Sequence, residues 1–373
     1  MHEPDALAKL PPENIRAIAP YQPGKPVETL ERELGITGAI KVASNENPLG
    51  PSPLGLAAAH AALAGAHLYP DGAGHRLRAA LAERLAVTED ELALGAGSNE
   101  LIELLVRTFC RPGVDEVLSH RHAFMMYRLA AQAHGVPYRE TPVDAELRCD
   151  VDALAAAIRP NTRIIFLPNP NNPTGAYVTA AELERLLAKL PPGVILAMDE
   201  AYFEYASMIP DYPVAERYRT AARREIVTLR TFSKAYGLAG LRVGYAVGDP
   251  MLIGYLDRVR MPFNTSSVAQ EAARAALGDE AHLQASRAAN AAGLELVGTG
   301  LRGLGVRVYA SAANFVLIDL GRDALPVYDA LLQRGVITRP LRPAGLPNCL
   351  RISIGSVAEN RRTLEAVRAV LGA

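Results

Sequence analysis

Between residues 87 and 248, short apolar runs alternate with amphipathic stretches, the pattern of parallel strands joined by crossover helices. The runs at 91–94, 114–119, 163–167, 194–198, 226–230 and 241–247 predict strands. Between them, residues 98–109, 123–134 and 180–190 carry Leu, Ala or Met at three- and four-residue spacing and predict helices, with Gly135 as a C-terminal cap to the second. After Met261 the pattern changes. One long Ala-rich helix from Ser267 to about Leu301 is expected, followed by strands near 306–309, 314–320 and 350–354, which together predict a separate α+β unit. The proline-rich segments 20–26 and 48–53 predict a loop and an extended arm lying across a neighbouring surface, and no internal repeat is visible.

The chain has 373 residues, 49% of them hydrophobic, and a chain of that length usually splits into two cores. The expected division is an N-terminal arm with part of a small domain at 1–44, a large domain at 45–262 and a small C-terminal domain at 263–373. Charge is balanced, with 39 Lys plus Arg against 40 Asp plus Glu, so there is no basic field for nucleic acid and a small-molecule substrate is expected. Cys110, Cys149 and Cys349 stand far apart without Cys or His neighbours at ligand spacing. They fit no metal site and no disulfide framework, and read as reduced core cysteines of a cytoplasmic protein. Residues 1–12 contain acids and prolines rather than a basic start and an apolar run, so neither signal peptide nor membrane anchor is expected.

Candidate chemistry lies where apolar runs end. Lys234 follows the run 226–230 in Thr231-Phe232-Ser233-Lys234-Ala235-Tyr236-Gly237, at a strand exit, where parallel sheets gather ligands. Alone it reads more readily as an ordinary exposed lysine. The run ending at Met198 is followed by Asp199 and, three residues on, Tyr202. A carboxylate at a buried strand end needs a cation, and a protonated pyridine nitrogen is one, although a helix cap beside a core tyrosine has the same signature. In Asn169-Pro170-Asn171-Asn172-Pro173-Thr174-Gly175, two X-Pro steps and a glycine force a tight turn that presents an Asn amide. Gly95-Ala96-Gly97-Ser98-Asn99-Glu100 is a Gly-rich turn opening a helix, suited to a phosphate; Glu100 replaces the third glycine of a dinucleotide fingerprint, which argues against NAD. Arg242, eight residues after Lys234, is placed to pair with the same phosphate, and Arg351 in Leu350-Arg351-Ile352-Ser353-Ile354 points away from its apolar neighbours with a fork that matches a carboxylate.

In this order and at these spacings, the elements resemble fold-type I aminotransferases, an α/β class with a large domain built on a mostly parallel central sheet flanked by helices and a smaller α+β domain. More narrowly, the chain resembles the histidinol-phosphate aminotransferase family from about Pro20 to the C-terminus, through Ser44-Asn45-Glu46-Asn47-Pro48-Leu49-Gly50-Pro51, Tyr69-Pro70-Asp71-Gly72, Asn171-Asn172-Pro173-Thr174-Gly175 and Arg351-Ile352-Ser353-Ile354-Gly355. The resemblance implies pyridoxal 5'-phosphate (PLP) as cofactor. Lys234 would carry it as a Schiff base and move the proton, Asp199 would hold its pyridine nitrogen, and Tyr202 and Asn172 would bind its phenolic oxygen. Gly97, Ser98, Asn99, Ser233 and Arg242 would surround its phosphate, Phe124 would stack on its face, and Tyr69 would reach it from the other subunit of a homodimer with shared sites. Arg351 would take the substrate α-carboxylate, and Tyr21, Asn45 and Arg339 would line the distal end. The implied reaction moves the amino group of histidinol phosphate to 2-oxoglutarate in ping-pong fashion, giving imidazole-acetol phosphate and glutamate. A broad aromatic aminotransferase and a PLP-dependent phosphothreonine decarboxylase remain open on the same motifs. His122-Ala123-Phe124 departs from the family's usual Pro-Thr-Tyr or Pro-Ser-Tyr, keeping the aromatic face and changing the hydrogen bonding around it.

Overall fold

The computed structural model describes residues 10–20, 24–220 and 224–372. A short strand, β1 (Ile40–Lys41), precedes a seven-stranded central sheet made of β2 (Leu92–Gly95), β3 (Glu116–His120), β4 (Tyr138–Thr141), β5 (Thr162–Pro168), β6 (Ile195–Asp199), β7 (Ile226–Thr231) and β8 (Gly244–Val247). Their spatial order is β2-β8-β7-β6-β5-β3-β4. Strands β3 to β7 pair in parallel, whereas β8 runs antiparallel to both β7 and β2. The strand expected at 241–247 thus exists but reverses. Its connection from β7 holds only turns, the last of them at Ala239–Leu241, and a parallel return needs a full crossover, usually a helix.

Alternation along the inner strands sorts side chains onto two covered faces. Ile164, Phe166, Ile195, Ala197, Val227 and Leu229 pack with Leu101, Leu105 and Tyr127 from the helices Ser98–Phe109 and Met126–Ala133. Ile165, Leu167, Leu196, Met198 and Ile226 pack on the opposite side with Leu154, Leu183 and Leu186 from Val151–Ala156 and Ala180–Lys189. Each such fully buried Leu or Ile stabilises the fold by about 1.5–3 kcal/mol relative to exposure. With helices on both faces, the polar work is left to the strand ends.

The helices that precede the central sheet were not expected, among them Val27–Leu34 and the two that follow residue 52. Ser52 accepts a hydrogen bond from Gly55 N at 3.1 Å and caps Pro53–Leu63, with Pro53 at the first helical position, and a second helix follows at His75–Leu85. The Pro53–Leu63 helix packs on Ser267–Leu277 so closely that a Cβ on Gly55 would lie 3.1 Å from Ala272 O and 3.3 Å from the Ala276 Cβ. The single helix expected from Ser267 to Leu301 is two, Ser267–Leu277 and Glu280–Gly303, because Gly278 ends the first and Asp279 caps the second. The first shares its core with Leu77, Leu81 and Leu94; the second contributes Val297 and Leu301 to a different core with Val316, Ile318, Leu350 and Val367.

That second core backs a four-stranded antiparallel sheet of β9 (Arg307–Val308), β10 (Phe315–Asp319), β12 (Arg339–Leu341) and β13 (Leu346–Ser353), in the order β12-β13-β10-β9. Beside it, β11 (Val336–Ile337) pairs in parallel with β1, Ile40 opposite Val336. Early segments touch the body of the same chain: Asn14 donates to Gln132 O and Ala133 O at 3.0 and 3.1 Å, and Ser52 N, in the segment 48–53, donates to Tyr236 O at 3.0 Å. Gly237, with φ of +70°, abuts Gly50 so tightly that any Cβ there would collide with the Gly50 carbonyl.

Candidate active site

A cleft opens where β5, β6 and β7 end and the β12–β13 pair approaches. Asp199 is the last residue of β6 and is buried. Its Oδ2 accepts the Tyr127 hydroxyl at 2.7 Å and its Oδ1 accepts Ala201 N at 3.2 Å. Burial pushes its carboxyl up to about 6, and the two hydrogen bonds oppose that rise. Lys234 lies three residues beyond the end of β7, with Nζ 3.4 Å from Ser44 O and 3.3 Å from Asn45 O. Burial, helped by the positive charges of Arg351 and Arg242 and opposed by Glu46, pushes its amine down to about 8. An amine so shifted is partly neutral near neutral pH and is a competent nucleophile and base.

Around this pair, Tyr202 accepts a hydrogen bond from Asn45 Nδ2 at 2.9 Å, and Asn45 Oδ1 accepts from Ser353 Oγ at 2.7 Å. Burial raises the Tyr202 hydroxyl, so it stays protonated. Asn172 accepts from Arg351 Nη1 at 2.5 Å, and Arg351 Nη2 donates to Ala43 O at 2.5 Å. Arg339 and Arg351 are register partners on β12 and β13, so both arginines project from the same face of the small sheet into the cleft. Two fixed positive charges there suit a substrate with two anionic groups.

At the other end, Gly97 adopts φ of +78° before the helix Ser98–Phe109, whose N-terminal residues Ser98 and Asn99 line the cleft. Gly97 is itself behind the wall. A Cβ there would strike the Arg242 guanidinium, whose Nη1 donates to Ser233 Oγ at 3.3 Å. The resulting group of Ser98, Asn99, Ser233 and Arg242 around a helix N-terminus is an anion cradle. Phe124 lines the wall and meets Tyr127 at 5.8 Å in a T-shaped contact.

Tyr69 is not in the cleft of its own chain; it is 82% exposed and stacks on Phe263 with centroids 4.8 Å apart. Tyr21 lies outside the described residues. Sequence reasoning missed Tyr127, which reads as one more core aromatic in a helix, and the Ser44 carbonyl beside Lys234. It also missed a buried ion network behind the site. Arg230 in β7 donates to Glu200 at 2.7 and 3.0 Å and to Glu216 at 2.8 Å, with its guanidinium 3.3 Å over the Phe203 ring, tying together the strand ends that carry Asp199 and Lys234. A charged residue inside an apolar strand was the available signal. Among the described residues no group of His, Cys, Asp or Glu could hold a metal ion, and no helix is long and apolar enough to cross a membrane.

A lysine and an acid at neighbouring strand ends, an anion cradle and paired arginines on this α/β scaffold define a fold-type I aminotransferase. The chain belongs to the class I and II aminotransferase family, whose model matches residues 37–367. Within that family it is 47% identical over 367 residues to histidinol-phosphate aminotransferase of Anaeromyxobacter sp., covering 98% of this chain and 100% of that one. It is also 47% identical over 369 residues to histidinol-phosphate aminotransferase 2 of Pseudomonas aeruginosa, covering 98% and 99%. Among solved structures, histidinol-phosphate aminotransferase from Sinorhizobium meliloti in complex with pyridoxal-5'-phosphate aligns with a TM-score of 0.89 at 30% identity, over 98% of both chains.

Proposed function

We propose that this chain transfers the amino group of L-histidinol phosphate to 2-oxoglutarate, using PLP held in the cleft between the two sheets. The observation that carries the reading is the convergence, in one cleft, of a buried acid, an amine pushed down to about 8 and two arginines in register. The donor set fits PLP: a carboxylate for the ring nitrogen at Asp199, an amine at Lys234, an aromatic face at Phe124, hydroxyl and amide groups at Tyr202 and Asn172 for the phenolic oxygen, and the cradle of Ser98, Asn99, Ser233 and Arg242 for the phosphate. When bound, PLP supplies an acceptor for the electron pair released at the substrate Cα.

The protein's part is charge and proton placement. Asp199, ionised above about pH 6, keeps a proton on the ring nitrogen. Lys234 would take the proton from the substrate Cα and return it to the cofactor carbon C4' on the far side of the shared nitrogen, a contribution typically worth about 100- to 10,000-fold. Arg351 would hold the α-carboxylate of 2-oxoglutarate and, since histidinol phosphate has no carboxylate, the phosphate of the donor in its turn, with Asn172 bracing its guanidinium. Arg339, opposite Arg351, is proposed to hold the donor's phosphate, and Asn45, which lines the same cleft, and Tyr21 are proposed at that end. The proposed division is 1–44, 45–262 and 263–373, with Ser267–Leu277 packed on the large domain. The protein is proposed to be a cytoplasmic homodimer in which Tyr69 reaches the partner's phosphate. The exposed Leu54, Leu63, Leu68, Tyr69 and Phe263 support an apolar contact of that kind.

The test is a donor screen with 2-oxoglutarate as acceptor. Histidinol phosphate is expected to exceed phenylalanine, tyrosine and phosphothreonine in kcat/KM, and Arg339→Ala to narrow that preference by reducing turnover of histidinol phosphate more than that of phenylalanine. Equal losses on both donors would exclude Arg339 as the phosphate reader, and phenylalanine matching histidinol phosphate would make the enzyme a broad aromatic aminotransferase.

A further inference from the structure

Asp199 ends β6 at 4% exposure, where water does little to stabilise its charge. Protein donors must take that role. Ala201 N reaches Oδ1 at 3.2 Å, and the Tyr127 hydroxyl reaches Oδ2 at the shorter 2.7 Å. Tyr127 is fully buried, its ring parallel to Phe166 with centroids 4.5 Å apart and in T-shaped contact with Phe124 at 5.8 Å. Packed in this way, the phenol cannot swing to another acceptor, and a buried tyrosine hydroxyl needs one. The same ring touches the aromatic wall of the cleft through Phe124 and the acid through its hydroxyl.

We propose that Tyr127 is the positioning residue for Asp199: by donating to Oδ2 it fixes the orientation of the carboxylate and keeps it charged toward the cofactor's ring nitrogen. This rests on the reading of Asp199 given above. A donor to a carboxylate favours its charged form and opposes the burial that pushes Asp199 up. Burial, and then the Asp199 charge, hold the Tyr127 hydroxyl well above its ordinary range, so it remains a donor throughout the working pH. The other titratable or charged side chains on the cleft wall are Tyr202, Lys234, Arg242, Arg339 and Arg351, and all are left intact by a change at Tyr127.

The experiment compares Tyr127→Phe, Asp199→Asn and the double variant, each checked by thermal melting. In apo-protein carrying carboxyl-13C aspartate, the resonance missing from Asp199→Asn identifies the Asp199 carboxyl. Its titration midpoint is expected to rise by about one to two pH units in Tyr127→Phe, the loss of one hydrogen bond to a charged group. An unmoved midpoint overturns the proposal. The PLP dissociation constant is expected to rise several-fold in Tyr127→Phe and to change little when the same substitution is added to Asp199→Asn. Equal loss in both backgrounds means that Tyr127 only packs, and also overturns it. If Tyr127→Phe does not fold, 3,5-difluorotyrosine placed at position 127, a stronger donor of similar shape, should lower the midpoint instead, and no movement overturns the proposal. Should Asp199→Asn bind PLP and turn over like the wild type, the reading of Asp199 fails, while the apo midpoint still decides the role of Tyr127 toward that carboxyl.

Discussion

Asp199 and Lys234 are each held in the less comfortable of their charge states, and that tension is measurable without cofactor. The folded-state pKa of Asp199 is raised, from an ordinary 3.8 to about 6, so the stability it permits is greatest below pH 3.8 and is lost as pH rises through 6. Asp199→Asn apo-protein should therefore unfold at higher urea than wild type at pH 8, by up to about 3 kcal/mol, with the gap closing near pH 4. A gap independent of pH would show that the carboxylate is not strained. The same substitution should abolish most turnover, because a neutral amide cannot hold the ring nitrogen's proton. Lys234 has the opposite shift, from 10.5 down to about 8, and charges only at the expense of burial. PLP uptake by apo-protein should accelerate through a midpoint near pH 8, and in Lys234→Ala borohydride should fix no cofactor to the chain; peptide mapping that found label on another lysine would displace the assignment. The gathering of Lys234, Asp199, Tyr202, Asn172 and Arg242 in one cleft was legible because each sits at a fixed offset from a strand end. Tyr127 was not legible, since a helix period assigns it to the core and nothing local marks its hydroxyl as aimed at a residue 72 positions later.

At the level of elements, period and punctuation succeeded where they agreed. The helix Ser98–Phe109 matches its expected bounds, and β3, β5, β6 and β7 agree with theirs to within one or two residues, because their apolar runs are broken by polar residues at both ends. The helix Pro53–Leu63 escaped notice since its run of alanines has no apolar stripe and Pro53 reads as loop; only Ser52 before it betrays a cap. The break inside the expected long helix was written in Gly278 and Asp279, yet an alanine-rich context masked it. Asp279 is more than a cap. It accepts from His282 N at 3.2 Å, from Ser52 Oγ at 2.6 Å and from Leu54 N at 3.2 Å, so one carboxylate starts two helices from different parts of the chain. Asp279→Ala should cost about 2–3 kcal/mol, combining a lost cap with unsatisfied donors at buried Ser52. Urea unfolding checks it, and a loss below 0.5 kcal/mol, on the order of an ordinary surface change, would mean the shared cap is dispensable.

For the whole molecule, the placement of Tyr69 outside its own cleft makes assembly testable. With Tyr69→Ala first shown to be impaired, mixing it with Lys234→Ala chains should restore activity, because each mixed dimer has one site with both defects and one with neither. No recovery in verified mixed dimers would remove Tyr69 from the partner's site and with it the argument for shared sites. The change of pattern after Met261 does not mark a boundary between cores, because Ser267–Leu277 packs with Leu77, Leu81 and Leu94. The pairing of β1 with β11 was not legible, because two-residue strands carry no period. That pairing has a consequence for biosynthesis. As the polypeptide leaves the ribosome, Ile40 emerges early and then waits for Val336, so the small sheet's neighbour cannot close until nearly everything else has been translated. Throughout that interval Leu30 and Ala43 lack the late side chains Ile337 and Leu332 that share their cluster in the finished protein, Val42 lacks Val336 and Leu331, and all three are exposed to aggregation or to chaperones. Slowing elongation near the 3' end of the message should lengthen that vulnerable period without altering a single contact of the native state.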